Sequence, residues 1–227
     1  IFQTLLYHST VFSKTTENKN FNQRYLSNYF SAQVSHENGN NDLSIKYFNS
    51  TKSIIRDHPN YLDKYITSLV LNNDVSEAIN QIKFFSSKNT INSFQINLLL
   101  TIDAFKNQKF DQANNYLLDM KMVLGPSSYQ QIVFQILNSF NQLFLNKKNS
   151  KIEDYGKLSK ILSAFQYCYL DDIKSKNLFA ELINLEGGDY TRYLFFYLSN
   201  LINKNEYEQV KNVSLKIEPI TSTLLIL

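Results

Sequence analysis

Apolar residues recur along this chain at spacings of three, four and seven. Leu26, Tyr29, Phe30 and Val34 form one such set, and Ile45, Phe48, Lys52 and Ile55 follow it as a second. Leu62, Tyr65, Ile66 and Leu69 repeat the pattern, followed by Ile79, Ile82 and Phe85. It returns in Ile96, Leu99, Leu100 and Ala104, then in Ala113, Tyr116, Leu117 and Met120. Each set predicts one face of an α-helix. Short polar turns divide the sets in pairs: Asn41-Asp42-Leu43-Ser44, Asn73-Asp74-Val75-Ser76, Lys109-Phe110-Asp111-Gln112 and, near the end, Asn205-Glu206-Tyr207-Glu208. Ser44 and Ala78 stand 34 positions apart and Ala78 and Ala113 stand 35 apart, which sets a period. Asp42 and Asp74 lie where spare helix N–H groups and the helix dipole suit a carboxylate. Pro59 and Pro126 punctuate repeat ends, because proline cannot continue a helix.

The middle of the chain is less regular. Ile132, Ile136, Phe140 and Leu143 predict one long helix over Tyr129 to Asn146, and a polar loop follows to Gly156. Further helices are predicted over Leu158–Tyr169 and Leu178–Leu185, the second stopped by Gly187-Gly188. A last pair, over Tyr190 to Pro219, uses Leu194, Tyr197, Leu198 and Leu201, then Tyr207, Val210 and Val213.

Antiparallel helix pairs with a period near 34 residues resemble the tetratricopeptide repeat. Ala32 matches that family's small first-helix residue, and Ser44, Ala78 and Ala113 match its small second-helix residue. Phe48, Ile82 and Leu117 match the bulky residue one turn later, and Thr51 the second small one. The family's tryptophan is absent, Ile66 and Thr101 replace the small first-helix residue in the next two pairs, and Phe85 and Met120 replace the second small residue. The resemblance, closest to repeat proteins of AT-rich bacteria, implies an all-α, right-handed superhelical solenoid of antiparallel helix pairs. It divides the chain into a leading segment (1–24), three repeats (25–126), degenerate helical repeats (127–189) and a further repeat with a cut helix (190–227). By repeat phase, the concave face of such a solenoid would be lined by Tyr29, Gln33, His36, Asp63, Thr67, Gln95, Ile102, Arg192 and Ser199.

Composition narrows the chemistry. The 227 residues are 43% hydrophobic and 14% aromatic, enough for a sizeable core and too apolar for a disordered chain. Five glycines and three prolines are too few for a many-stranded barrel or sandwich. The excess of Lys (20) and Asn (28) over Ala (6) reads as AT-rich coding, and the net charge is only +3 with basic residues dispersed, which disfavours a nucleic-acid interface. Repeats that differ at equivalent positions also disfavour a one-base-per-repeat RNA reader. Cys168 is the single cysteine, so no disulfide or cysteine-based zinc site is expected, and His8, His36 and His58 lack metal-ligand spacing. Gly187-Gly188-Asp189 follows a helix rather than a strand and reads as a helix stop, not a dinucleotide loop. Asp171-Asp172 reads as capping ahead of Lys174. No cofactor is expected, and no apolar run reaches the roughly 18 residues of a membrane span.

These residues point to a non-catalytic scaffold that binds a protein or peptide along first-helix faces, with no nucleic acid and no membrane span. The other class to weigh is a regulatory or recruiting segment of a larger enzyme. The aromatics around Tyr190, Tyr193, Phe195, Phe196 and Tyr197 are expected in the core of an alanine-poor repeat, with a binding platform as the alternative. Ile1 in place of an initiating Met reads as processing or a fragment. The cytoplasm is then the default compartment, and the periplasm if a leader precedes Ile1. Thr223 to Leu227 reads as a helix cut after its first turn, so self-association through this apolar end is expected.

Overall fold

A positive φ angle, which side-chain-bearing residues seldom adopt, recurs at the same point of five polar turns. Gly39 (φ 73°), Asn73 (64°), Gln108 (56°), Asp171 (54°) and Asn205 (56°) each lie there. In each case the next N–H reaches back five residues to close the helix end. The bonds are Asn40 to Ser35 O, Asp74 to Leu69 O, Lys109 to Ala104 O, Asp172 to Tyr167 O and Glu206 to Leu201 O, all between 2.8 and 3.0 Å. This left-handed cap satisfies carbonyls that a helix end otherwise leaves bare. Four of the five residues are not glycine, although Asn and Asp tolerate the conformation better than most.

The computed structural model describes residues 23–53, 60–86, 92–150, 153–185 and 191–215. Among them all regular structure is helical. The helices are α1 (Gln23–Glu37), α2 (Asn41–Ser50), α3 (Tyr61–Leu71), α4 (Val75–Ser86), α5 (Phe94–Lys106) and α6 (Phe110–Met122). They continue with α7 (Ser128–Asn146), α8 (Lys157–Tyr169), α9 (Lys174–Ile183), α10 (Leu194–Asn203) and α11 (Tyr207–Leu215). The repeated turn joins α1 to α2, α3 to α4, α5 to α6, α8 to α9 and α10 to α11, and within each unit consecutive helices pack on one another. The all-helical expectation and the packing of neighbouring helices are therefore present. Pro59, Gly187, Gly188, Asp189 and Tyr190, as well as Ile1–Phe12 and Thr223–Leu227, lie outside the described residues, as do His8 and His58.

Two compact units divide between Thr90 and Ile91, inside the span of the first three pairs. In unit 1, Ala32 and Ser44 meet where α1 crosses α2: both are fully buried, and the Ser44 hydroxyl donates to Ala32 O at 3.1 Å. Ala78, Ile82 and Phe85 hold the equivalent buried positions on α4. Alternate helices α1 and α3 run in the same direction, since Tyr29 stacks on Tyr61 at one end and His36 meets Ser68 one or two turns further on. The sequence pattern needs one correction here. Phe30 and Val34 face outward, 57% and 60% exposed, and the buried stripe of α1 is Tyr29, Ala32 and Ser35. The small residues win the interior because only they let α1 approach α2 closely.

In unit 2, Ala113, Leu117 and Met120 form the buried stripe of α6, and Met120 and Leu117 pack with Phe94 of α5. A second core joins Ala164, Phe179, Leu182, Tyr197 and Leu201 from α8, α9 and α10. Helix α7 breaks the pairing. It ends at a left-handed residue, Lys147 (φ 53°), yet the described residues 148–150 and 153–156 that follow form no helix. Its contacts Ser139–Gln166 and Phe144–Tyr169 lay it alongside α8 in the same direction, as α1 lies beside α3. It is thus a first helix whose second helix is replaced by a loop.

Candidate interaction surface

Of the residues singled out by repeat phase, Gln95, Ile102 and Arg192 are exposed, and the others are half-buried or buried. On α1 the outward stripe is Phe30, Gln33, Val34 and Glu37, spaced three, four and seven apart. Glu37 accepts from the Lys64 ammonium of α3 at 2.7 Å, and this pair ties the two helices at their exposed edge. The Lys64 ammonium holds the Glu37 carboxyl below its ordinary value, first by the hydrogen bond and then by its charge. Thr67 of α3 is half-buried, and its hydroxyl donates to Asp63 O at 2.7 Å. Leu71, at the end of the same helix, is 60% exposed.

The predicted lining residues separate into three groups. Tyr29 belongs to the core rather than to a surface: its ring stacks on Tyr61 at 5.9 Å and meets Phe48 edge-on. Gln33, His36, Asp63, Thr67 and Ser199 are half-buried, and Gln95, Ile102 and Arg192 are exposed. Gln33 is notable because its Nε2 is buried and has no hydrogen-bond partner among the described residues. Helices α1 and α3 bring Gln33, His36, Asp63 and Thr67 onto neighbouring faces in unit 1. In unit 2, Gln95 and Ile102 share one face of α5, and Arg192 and Ser199 share a face of the segment that leads through α10.

The aromatic stretch near residue 195 splits in two. Leu194 and Tyr197 turn inward, at 7% and 5% exposure, whereas Phe195 is 72% and Phe196 43% exposed. Phe196 meets Phe165 of α8 edge-on at 4.8 Å. Phe195, Ser199 and Ile202 then form an outward stripe beside Arg192. Of the four described aromatics of the cluster, Tyr197 is core, Tyr193 is half-buried, and Phe195 and Phe196 are surface, while Tyr190 lies outside the described residues. The signal was available in the sequence, since consecutive helical residues cannot all share one face.

No family model, curated protein or solved structure matches the chain. Among the described residues no group of three or more His, Cys, Asp and Glu side chains is placed to hold a metal ion. An open hollow of about 490 Å³ lies at the start of α8, lined by Asp154, Gly156, Lys157, Lys160, Leu178 and Leu185 among others. One lysine there, Lys160, pairs with Glu181 at 3.2 Å. Cys168 is half-buried near the Asn200 amide, 3.7 Å away. Asp172 caps as the sequence suggests: its Oδ1 accepts from Lys174 N at 2.9 Å. No helix among the described residues is long and apolar enough to cross a membrane.

Proposed function

We propose that the chain is a non-catalytic scaffold of tetratricopeptide type that holds a protein or peptide partner on the outward faces of its first helices. The observation that supports this reading best is on α1. Exposed Phe30 and Val34 flank Gln33, whose buried amide nitrogen has no partner among the described residues. Apolar anchors beside a spare donor suit a partner segment whose side chains pack on Phe30 and Val34 while its carbonyl accepts from the Gln33 amide, turned outward to meet it. Leaving a buried donor unpaired costs about 1–3 kcal/mol, and a partner carbonyl would recover it. In unit 2 the stripe of Phe195, Ser199 and Ile202 offers a second surface of the same mixed character.

The test is affinity capture from the native cell with the unmodified chain and with Val34→Glu, Gln33→Ala and Phe195→Glu. The reading expects one partner recovered by the unmodified chain and lost or weakened at least tenfold with Val34→Glu. Recovery of the same proteins by all four chains would overturn it.

A further inference from the structure

Ser68 of α3, Gln166 of α8 and Asn200 of α10 each stand five residues before the left-handed residue of their turn. All three are buried, and each meets the preceding first helix. Ser68 meets His36 of α1 at 2.9 Å, Gln166 meets Ser139 of α7 at 3.3 Å, and Asn200 meets Cys168 of α8 at 3.7 Å. The same position of α1 is Val34, which is 60% exposed. Four residues earlier, Lys64 and Phe196 also reach the preceding first helix, at Glu37 and at Phe165. Their counterpart on α1 is Phe30, again exposed. The outward stripe of α1 is therefore the face on which, in later pairs, a preceding first helix lies. Inside the chain that contact is made by Ser, Gln and Asn, but on α1 the position is apolar.

The covering face shows the converse. His36 and Cys168, which meet Ser68 and Asn200, stand three residues before the left-handed residue, and Phe165, which meets Phe196, stands six before it. On α10 these positions are Ile202 and Ser199, and Phe195 stands where Tyr29, stacked on Tyr61, stands in α1. Among the described residues no first helix follows α10, and Ile202 and Phe195 are exposed. The two bare faces are the complementary halves of one contact that the chain makes internally.

We propose that copies of this chain associate head to tail, α10 of one copy lying on α1 of the next. Ile202 then packs against Val34, and Ser199 and Phe195 lie over Phe30. The two helices run in the same direction, as α1 and α3 do. Helix α11 follows α10 into the contact, just as α2 reaches Tyr61 and Tyr65 of α3 through Thr51 and Asn49. Such a contact uses a different patch on each copy, so it is heterologous, and covering exposed apolar side chains drives it. It names the partner of the faces described above as a second copy, and it rests on their being interaction surfaces.

Light scattering on the full chain, over a concentration series up to about 100 μM, reads association of micromolar strength. The unmodified chain should form species larger than a monomer. Val34→Glu and Ile202→Glu should each weaken association at least about tenfold, by setting a charge against an apolar residue. Mixing the two variants separates this contact from others. The intact α10 face of Val34→Glu meets the intact α1 face of Ile202→Glu, and the mixture should form a 1:1 dimer that grows no further. Phe30→Lys mixed with Phe195→Lys repeats the experiment at the other end of the contact, so a variant that fails to fold leaves the test standing. An unmodified chain that stays monomeric would overturn the proposal. So would either variant associating alone as the unmodified chain does, which assigns the contact to like faces or to residues 223–227. If association fails in this way while Val34→Glu still loses a captured partner, the scaffold reading stands without a second copy as its partner.

Discussion

Phe48 has no exposed surface and meets the rings of Tyr29, Tyr61 and Tyr65 at 6.5, 5.0 and 5.8 Å. The Tyr61 hydroxyl donates to Phe48 O and accepts from Thr51 Oγ1 at 3.2 Å, so this aromatic knot has its polar atom paired. Burial pushes the Tyr61 hydroxyl well above its ordinary acidity range, which keeps it a neutral donor at any working pH. Beside such bulk, the helix crossings depend on small residues. Ala78 and Ala113 are fully buried. Replacing either with Leu adds volume that α4 or α6 cannot absorb, and each change is expected to cost about 1–3 kcal/mol. Asn80, exposed on α4, is the control: Asn80→Leu should shift stability by less than about 0.5 kcal/mol. Denaturant melts of the three variants check this, and equal losses at all three would mean that the small residues do not mark the crossings. Asn114 looks like an equally exposed control in the sequence but is half-buried, with its Oδ1 accepting from Asn141 Nδ2 of α7 at 3.4 Å. Nothing local in sequence announces a partner 27 positions away.

The five helix hairpins depend on one turn, and the turn depends on a residue that accepts φ near +60°. Gly39 does so without strain, and a methyl group there would meet no atom within 4 Å. Gly39→Ala should therefore cost about 1–2 kcal/mol for conformation alone, without any steric clash. Gln108 sits at the same point with φ 56° and no side-chain reason to prefer it. Gln108→Gly is expected to gain up to about 1 kcal/mol, the relief of left-handed strain less the greater freedom of glycine in the unfolded chain. Urea midpoints for the two variants should move in opposite directions, and a loss in both would show that the turn is not limited by φ. The turns also explain what was legible beforehand. Polar residues between apolar sets placed α1 to α6 correctly within a few positions, and the long α7 and the loop after it likewise. The α8–α9 pair was harder. Its turn, Leu170-Asp171-Asp172, stands 34 residues before the turn at Asn205, yet Asp171-Asp172 reads as a cap and no alanine stands at the crossing position of the second helix. Ser175 is fully buried there, where Ala113 sits in α6. Because α7 lacks a second helix, counting back from Val210 in whole repeats falls out of phase. The outward turn of Phe30 and Val34 was not legible, because an apolar residue on a helix looks the same in sequence whether it faces a core or a partner.

At the scale of each unit, stability is carried by contacts between helices adjacent in sequence or one helix apart. Within unit 2 each helix from α5 to α11 packs on its immediate neighbours. Polar pairs mark the seams: Asn200 Nδ2 with Ser175 Oγ at 3.2 Å between α10 and α9, Gln166 Nε2 with Ser139 Oγ at 3.3 Å between α8 and α7. If unit 2 behaves as a one-dimensional chain of coupled elements, as a stack of repeats does, damage decays with distance along the sequence. Leu201 of α10 is fully buried in the core shared with Ala164, Phe179 and Leu182. Leu201→Ala removes about 2–5 kcal/mol from that core. The loss should be read unevenly by native-state hydrogen exchange. Amides of α9, α10 and α11 should lose most of their protection, those of α8 part of it, and those of α5 and α6 almost none, because the seams at Gln166 and Asn141 do not pass through Leu201. If α5 and α6 instead lose as much protection as α10, unit 2 unfolds as a single cooperative body and the nearest-neighbour description fails for it. The gradient in protection, more than the melting temperature, distinguishes a stack of helix pairs from a globular bundle of the same helices.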